Sequence, residues 1–472
     1  MEEHYKFDKD YTFTFGPIEN GNGSVHVIEH NSGLEDHIGI NIFDQDFQYR
    51  SSHKFPTVVA DLIDLAVSIH ASDRLALQSI RYEQTRIHVI LPVRVPEVMN
   101  SSTFLVKLVN LLGWTTASQW SFEFLKCADS ERLIERQGAI PVIPRSCEVA
   151  LWSGGLDALA GLYARLASSD AESFLLFGTG SNNITYARQK QVYESLKIPY
   201  RVDLSRIPIR FTGSNLHRKN KISRARGVVF TLLGSACAYL MGQKTLHVYE
   251  NGIGAINLPY RKSAVGLEHT RSVHPLTLLQ VSGIVSELIG EKFTVYNPFL
   301  FWTKAEMCKE LAKYEKDDLV ALTMSCDSPH RQQPTQCGYC SSCILRKQAL
   351  AASHIKDKTS YVLPSKNKRT DDVSLHLRHM LDQVSTIQSL LNVSRTPSAQ
   401  WQGLTKQFPI LDDIVDRSAS AENLTASEMQ QKLIQLYQSY VNEWDNAGSQ
   451  ILANFSDQIS GMPLSNRSPI TV

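Results

Sequence analysis

The residues of this chain best suited to chemistry lie around Gly154 and Gly155, between an apolar run and a helical pattern. The run Val149–Trp152 is typical of a buried strand, and leucines at helical spacing follow Asp157. Two glycines let the backbone approach a phosphate closely, and a helix start supplies free N–H groups. The pattern therefore predicts a phosphate-binding loop made of Ser153, Gly154, Gly155, Leu156 and Asp157. An ordinary strand-to-helix turn is the alternative, because Gly-Gly alone is a weak signal.

Four of the eight cysteines lie close together further along the chain. They are Cys326, Cys337, Cys340 and Cys343, and the last three form two overlapping Cys-x-x-Cys pairs. This spacing suits one tetrahedral zinc ion, and four thiolates leave no open position, so we expect a structural zinc. A disulfide cluster is the alternative. We favour zinc because the first residues do not resemble a secretory signal, which also leads us to expect a cytoplasmic protein.

Several short stretches together resemble one enzyme family. Ser-Gly-Gly-x-Asp at the glycine loop is similar to the PP-loop of ATP pyrophosphatases. The other matching stretches are Asn297–Phe299, Thr303–Glu306, Thr323–Cys326 and Cys337–Arg346. With the loop, they resemble QueC, the 7-cyano-7-deazaguanine synthases, over roughly residues 147–355. The resemblance implies a PP-loop fold, structural zinc, and ATP with Mg²⁺. It also implies activation of the carboxylate of 7-carboxy-7-deazaguanine, which ammonia attacks to give an amide and then a nitrile.

The sequence departs from that family in three ways. Ala158 stands where the family usually has Ser or Thr, the segment Glu250–Pro259 differs from the usual form, and the chain is about twice the expected length. The last two features resemble the enlarged QueC-like proteins of bacterial anti-phage systems (Qat and type IV CBASS). Those relatives are associated with attaching a deazaguanine to a partner protein, so the resemblance implies a protein acceptor encoded nearby.

Four further residues, at three places in the chain, are candidates for the site. Arg226 lies in a stretch without acidic residues between Asp203 and Glu250, and it opens a predicted helix. Glu250 and Asn251 end an apolar strand, where ligand sites of α/β folds cluster. Lys304 matches the family lysine. The alternatives are a solvated loop for Arg226, a strand-end turn for Glu250 and Asn251, and a helix-surface ion pair for Lys304.

The elements that must position these residues follow from the hydrophobic pattern. Residues 1–146 contain five strand-like pieces and two helical stretches, Val58–Leu77 and Thr103–Leu112, and we expect an α+β domain there. Its acidic helix residues Asp61, Asp64 and Asp73, with Arg74, suggest a solvated face or contacts between domains. A proline-containing segment, 141–144, predicts the boundary.

Residues 147–355 alternate strands and helices, as in an α/β fold with a doubly wound parallel sheet. The predicted strands are Val149–Trp152, Ser173–Phe177, Tyr200–Leu204 and Thr245–Glu250. A ligand should lie at their carboxyl ends. Residues 356–472 predict a helical extension with helices near Asp371–Leu391 and Ala426–Phe455.

Bulk composition agrees with a globular enzyme. The 472 residues are 43% hydrophobic and 20% charged, and 48 Lys plus Arg oppose 47 Asp plus Glu. We therefore expect neither nucleic acid nor a membrane as partner.

The combined interpretation is an ATP-dependent ligase. Asp157, Arg226 and Lys304 are the expected catalytic residues, and the glycine loop with Glu250 and Asn251 is expected to bind ATP. The acceptor is expected to be a partner's N-terminal amine, with ammonia as the alternative. Two rival functions stay open at this point: a PP-loop tRNA-modifying enzyme, and a non-catalytic scaffold in which Ala158 marks a lost activity.

Overall fold

The computed structural model of this chain describes most of its length. The described residues are 7–18, 21–43, 56–77, 85–127, 146–180, 183–198, 201–213, 223–260, 271–327, 334–362, 370–393 and 395–460. The predicted boundary at 141–144 lies outside them. The strands are β1 Lys9–Phe15, β2 Asn22–Glu29, β3 Leu34–Ile42, β4 Thr85–Val93, β5 Gln119–Lys126, β6 Cys147–Leu151, β7 Ser173–Gly180, β8 Val202–Thr212, β9 Thr245–His247 and β10 Thr294–Tyr296.

These strands form one sheet in the order β10-β9-β6-β7-β8-β3-β2-β1-β4-β5. Pairing is parallel from β10 to β8 and from β1 through β4 to β5, and antiparallel from β8 through β3 and β2 to β1. Every residue of β6 is buried, as expected for a central strand covered on both faces. The mixed α/β class with a mostly parallel central sheet is confirmed.

Helices cover the sheet in layers. They are α1 Thr57–Leu75, α2 Pro96–Met99, α3 Ser102–Thr116, α4 Leu156–Ser168, α5 Asn183–Leu196, α6 Arg226–Leu240, α7 Gly252–Ile256, α8 Pro275–Ile289, α9 Lys304–Lys313, α10 Ser341–Ala352, α11 Thr370–Asn392, α12 Pro397–Gln407, α13 Ile410–Ser418 and α14 Ala426–Ser460. The helices α1, α3, α6 and α8 share one apolar core with the sheet. The helices α4, α5, α9 and α10 form a second core with β6, β7 and β8.

The amino-terminal region continues the central sheet. Strand β3 pairs antiparallel with β8, so that Ile40 lies opposite Phe211 and Ile42 opposite Ile209. Strand β8 is therefore much longer than the predicted Tyr200–Leu204, because its second half is an interface with β3. The two predicted regions share a sheet and a core, and the domain bounds themselves stay a prediction.

Helix α1 is the predicted helix, but the interpretation of its acidic residues as a solvated face was wrong. The helix lies between the sheet and α6, and Asp61, Asp64 and Asp73 are all buried. Asp61 accepts hydrogen bonds from the backbone N–H groups of Arg94 and Val95, at 2.9 and 2.8 Å. The other interpretation was a contact between the predicted regions. Asp73 makes such a contact, because it accepts a hydrogen bond from Ser223 of the following region at 2.6 Å.

Among the described residues, four helices follow α10 where two were predicted. The two predicted ones are α11 and α14, and the short α12 and α13 lie between them in sequence. Together they build a third apolar core, which also contains Ile253 and Ile256 of α7. In the part of the chain that the structure describes, every helix is too short or too polar to cross a bilayer.

Candidate active site and metal centre

The glycine loop joins β6 to α4 at the carboxyl edge of the sheet. Gly154 has φ +72°, and a Cβ there would lie 3.1 Å from the backbone nitrogen of Gln189. Both features restrict the position to glycine. Gly155 is the N-cap of α4, and its N–H donates to the exposed Ser153 Oγ at 3.1 Å. The first N–H groups of α4 have no intrahelical partner and face this edge, as an anion site requires.

A second chain segment closes over the same loop. The Met324 N–H donates to the Gly154 carbonyl at 3.3 Å. The fully buried Arg346 guanidinium fixes this segment by donating to the Val320 carbonyl and to Thr323 Oγ1, both at 2.7 Å. Arg188 of α5 donates to the Leu322 carbonyl of the same segment at 2.9 Å. The chain that leads into the cysteine cluster is therefore part of the wall of the loop.

Four polar side chains form a network at the foot of the loop. Asp157, in the first turn of α4, is ion-paired with the buried Lys304 at the start of α9. Asn251 Nδ2 donates to Asp157 Oδ1 at 3.0 Å and to Glu250 Oε1 at 2.9 Å. The structure thus brings together Asp157, Glu250, Asn251 and Lys304, which were all predicted as site residues.

Local sequence explains why this network is held in place. Asn251 caps α7 by accepting the Gly254 N–H at 2.9 Å. A Cβ on Gly254 would lie 2.5 Å from Glu250 Oε1, so glycine makes room for the carboxyl. Asn297 Nδ2 donates to the Glu250 carbonyl at 2.8 Å. At the start of α9, a capping box orders the turn that carries Lys304.

The network holds unlike protonation states side by side. Burial, then the charge of Asp157, raises the pKa of Glu250 to about 8, although part of its side chain reaches solvent, and Lys304 opposes this. Burial alone would lower the pKa of Lys304, but Asp157 and Glu250 outweigh it and hold the pKa above its ordinary value. At neutral pH the site therefore contains the ammonium group of Lys304 beside a largely protonated Glu250 carboxyl.

Arg226 lies apart from this network. It is the first residue of α6 and its side chain is open to solvent. Although the side chain reaches solvent, the neighbouring protein displaces part of the water around the guanidinium, which lowers the pKa of Arg226. The charge of Asp327 opposes this. No hydrogen bond or ion pair joins Arg226 to Asp157 or Lys304, which are all described. Its predicted catalytic role stays a prediction.

The cysteine cluster forms a compact set of four sulfur atoms. The Sγ atoms of Cys326, Cys337, Cys340 and Cys343 all lie within 4.8 Å of one another. A tetrahedral zinc ion with Zn–S bonds of about 2.3 Å needs sulfurs about 3.8 Å apart, so the set fits this metal. Gly338, at φ +80°, makes the turn between the first pair. The four thiols form no disulfide in this structure.

Several residues of the site were not found from the sequence. Four residues shape the glycine loop: Met324, Arg188, Arg346 and Gln189. Met324 and Arg346 lie within the QueC-like stretches but were not predicted as site residues, and Arg188 and Gln189 carry no local signal. Glu443 of α14 reaches Thr303, and it also carries no local signal. The capping box at Thr303 was detectable, since Thr-x-x-Glu is a helix-start signature.

Comparisons with known proteins support the predicted resemblance. A family model described as "Queuosine biosynthesis protein QueC" matches residues 273–354, which contain Lys304 and the four cysteines. This region resembles QueC. A 7-cyano-7-deazaguanine synthase of Psychromonas ingrahamii is 24% identical over 222 residues, covering 45% of this chain and 96% of the relative.

Two more relatives match a shorter stretch. The 7-cyano-7-deazaguanine synthase of Myxococcus xanthus is 30% identical over 137 residues, 29% of this chain and 55% of that enzyme. The one of Dechloromonas aromatica is 27% identical over 137 residues, 29% of this chain and 56% of that enzyme. The chain thus spans about half the length of these two relatives, and more than half of this chain lies outside each match.

Proposed function

We propose that this protein is an ATP-dependent enzyme that activates the carboxylate of 7-carboxy-7-deazaguanine and joins it to an amine. The observation that carries this proposal is the Asp157–Lys304–Asn251–Glu250 network at the foot of a glycine loop. Two supports are independent of that geometry: the QueC model covers Lys304, and the relatives are named 7-cyano-7-deazaguanine synthase.

The glycine loop would hold the phosphates of ATP. Its two glycines keep side chains away from the ligand, and the N–H groups at the start of α4 attract negative charge. Lys304 would stabilise the charge that develops on the α-phosphate as pyrophosphate leaves. Asp157 keeps that ammonium protonated, since a buried lysine without a carboxylate loses its charge readily. Coordination of Mg²⁺ by Asp157 stays a prediction.

Glu250 would carry the proton of the second step. An amine that attacks the activated carbonyl must lose a proton, and a general base works best when its pKa lies near the working pH. The raised pKa of Glu250, about 8, meets that condition. Asn251 holds the carboxyl at one oxygen, which leaves the second oxygen to meet the amine.

The cysteine cluster would hold a structural zinc ion. Its four sulfurs satisfy the metal fully, so no chemistry is assigned to it. Its contribution is to fix the segment that carries Met324, whose N–H binds the carbonyl of Gly154.

The amine is proposed to be the N-terminus of a partner protein. An N-terminal amine has a reference pKa of about 7.7–8.0 and keeps a usable neutral fraction near pH 7, unlike lysine at about 10.4. The folded regions on both sides of the match support a large second substrate. A role in anti-phage defence is part of this proposal and rests on the resemblance to the enlarged QueC-like proteins.

Ammonia is the second candidate, because the relatives are named as synthases of the free nitrile. ATP–pyrophosphate exchange that depends on 7-carboxy-7-deazaguanine tests the first step for both candidates. Intact-mass spectrometry of proteins encoded nearby, co-expressed with this chain, then tests the acceptor. An unmodified partner together with efficient nitrile formation from ammonia would reduce the activity to that of an ordinary synthase.

A further inference from the structure

The helix that carries Lys304 is anchored from outside the QueC-like region. Thr303 is its N-cap, and the Thr303 hydroxyl donates to Glu443 Oε1 on α14. The second carboxylate oxygen of Glu443 accepts from Gln348 Nε2 at 3.2 Å. Glu443 is 8% exposed. A buried carboxylate from the carboxyl-terminal region therefore fixes the residue that directly precedes Lys304.

The same region also contacts the far side of the network. A Cβ on Gly252, next to Asn251, would meet a methyl group of Leu436 at 2.8 Å, so α14 packs directly on this turn. Gln383 of α11 donates to the carbonyl of Leu258 at 2.9 Å. The segment that begins at Glu250 is thus held near its start by α14 and at its end by α11.

The amino-terminal region makes an equivalent contact with the helix of Arg226. Asp73 of α1 accepts from Ser223 Oγ at 2.6 Å and from the Ala225 N–H at 3.2 Å. Ala225 is the N-cap of α6, and Arg226 is its first residue. A buried carboxylate from this flanking region also fixes the residue directly before a predicted site cation.

We propose that Glu443 and Asp73 are positioning residues, through which the two flanking regions fix the helix starts that carry Lys304 and Arg226. This proposal rests on the proposed function, which assigns Lys304 to the reaction, and on the predicted catalytic role of Arg226. Each carboxylate acts through a helix start, and neither needs to contact a substrate. The flanking regions then help to position the candidate site residues, whichever amine is the acceptor.

Glu443 can be tested with three variants whose outcomes differ. Glu443→Leu removes both acceptor oxygens. Glu443→Gln keeps an acceptor for Thr303, and its new amide can pair with Gln348 Oε1, which is buried without a partner among the described residues. Glu428→Gln is the matched control, because Glu428 lies on the same helix and its carboxylate accepts hydrogen bonds from Thr425, three residues earlier.

We expect Glu443→Leu to lower kcat of pyrophosphate exchange by about 10- to 100-fold, with KM for ATP changed less than about threefold. Glu443→Gln should restore most of the rate, and Glu428→Gln should match the wild type. Adding Glu443→Leu to Lys304→Met should lower kcat no further, since the carboxylate acts through the lysine. Equal losses in Glu443→Leu and Glu443→Gln, or fully additive losses in the double variant, would overturn the proposal.

Asp73 is tested in the same way. Asp73→Leu combined with Arg226→Met should be no slower than Arg226→Met alone. The control is Asp64→Asn on the same helix, which breaks the ion pair with Arg94 and should lower Tm without depending on Arg226. Additive losses for Asp73 and Arg226 would show that Asp73 has only a structural role.

A readout without the deazaguanine separates this proposal from the proposed function. Hydrogen exchange of peptides covering Thr303–Leu311 should accelerate in Glu443→Leu and stay unchanged in Glu428→Gln. If Glu443→Leu does not fold, Glu443→Met removes the same acceptor oxygens with an unbranched side chain and leaves the capping box at Thr303 intact. A wild type inactive towards 7-carboxy-7-deazaguanine refutes the proposed function alone, whereas unchanged exchange at Thr303–Leu311 refutes the positioning role.

Discussion

Glu250 gives the sharpest test of the site, because replacing it should change stability and activity in opposite directions. In the folded protein its pKa is raised from 4.5 to about 8, chiefly by burial and by Asp157. Glu250→Gln keeps an acceptor for Asn251 and cannot ionise. The variant therefore isolates the free-energy cost of ionising this carboxyl inside the site.

The sign follows from linkage. Below about pH 4.5 Glu250 is protonated in both the folded and the unfolded chain, so its charge costs nothing. Between about pH 4.5 and 8 the unfolded chain ionises first, and the wild type loses stability relative to Glu250→Gln as pH rises. The full difference corresponds to about 5 kcal/mol. Solvent that reaches the side chain reduces this, and we expect about 2–3 kcal/mol.

The assay is urea unfolding of both proteins from pH 5 to pH 9. Relative to the wild type, the free energy of unfolding of Glu250→Gln should rise by about 2–3 kcal/mol across this range. The kcat for joining the amine should fall about 100-fold, because the variant has no carboxylate to accept the proton. A stability difference that does not change with pH would refute the raised pKa. Full activity of Glu250→Gln would refute its role as the base.

Three further outcomes are expected. Cys340→Ser should lose zinc, measured by mass spectrometry of the metal, and should weaken ATP binding about tenfold because Met324 then releases the loop; unchanged ATP affinity in the metal-free protein would contradict this link. Gly154→Ala should lower the free energy of unfolding by about 1–2 kcal/mol, since its φ of +72° disfavours a side chain, and a melt with unchanged Tm would show that the loop is not strained. Asp157→Asn should abolish pyrophosphate release while circular dichroism stays like that of the wild type, because Lys304 loses its partner but the helix start is kept; full turnover would remove Asp157 from the site.

The site residues that the sequence indicated are those with local signals. The glycine loop follows a buried strand and precedes an amphipathic helix, and the cysteine spacing of two residues already matches one metal ion. Glu250 and Asn251 were found because polar residues directly follow an apolar strand. In each case the decisive residues lie within a few positions of one another.

The pairing of those residues was decided by the tertiary structure. Asp157 and Lys304 are 147 positions apart, and Thr303 and Glu443 are 140 apart. A periodic pattern identifies which face of a helix is buried but not what covers it. For that reason the acidic residues of α1 resembled a solvated face, although α6 buries Asp73.

The sequence by itself determined the mixed α/β class of the fold and indicated a candidate phosphate loop and a candidate metal site, since strand–loop–helix alternation, a glycine loop and a metal-spaced cysteine set are local patterns. Only the tertiary structure decided that the flanking regions belong to the same body as the site. Strand β3 pairs antiparallel with β8 because both strand edges have backbone groups that need hydrogen-bond partners. Glu443 contacts Thr303 because a buried carboxyl group also needs a partner. The sequence does not show which residues will pair, because a strand edge or a buried carboxyl group can accept a hydrogen bond from any donor that the fold brings close.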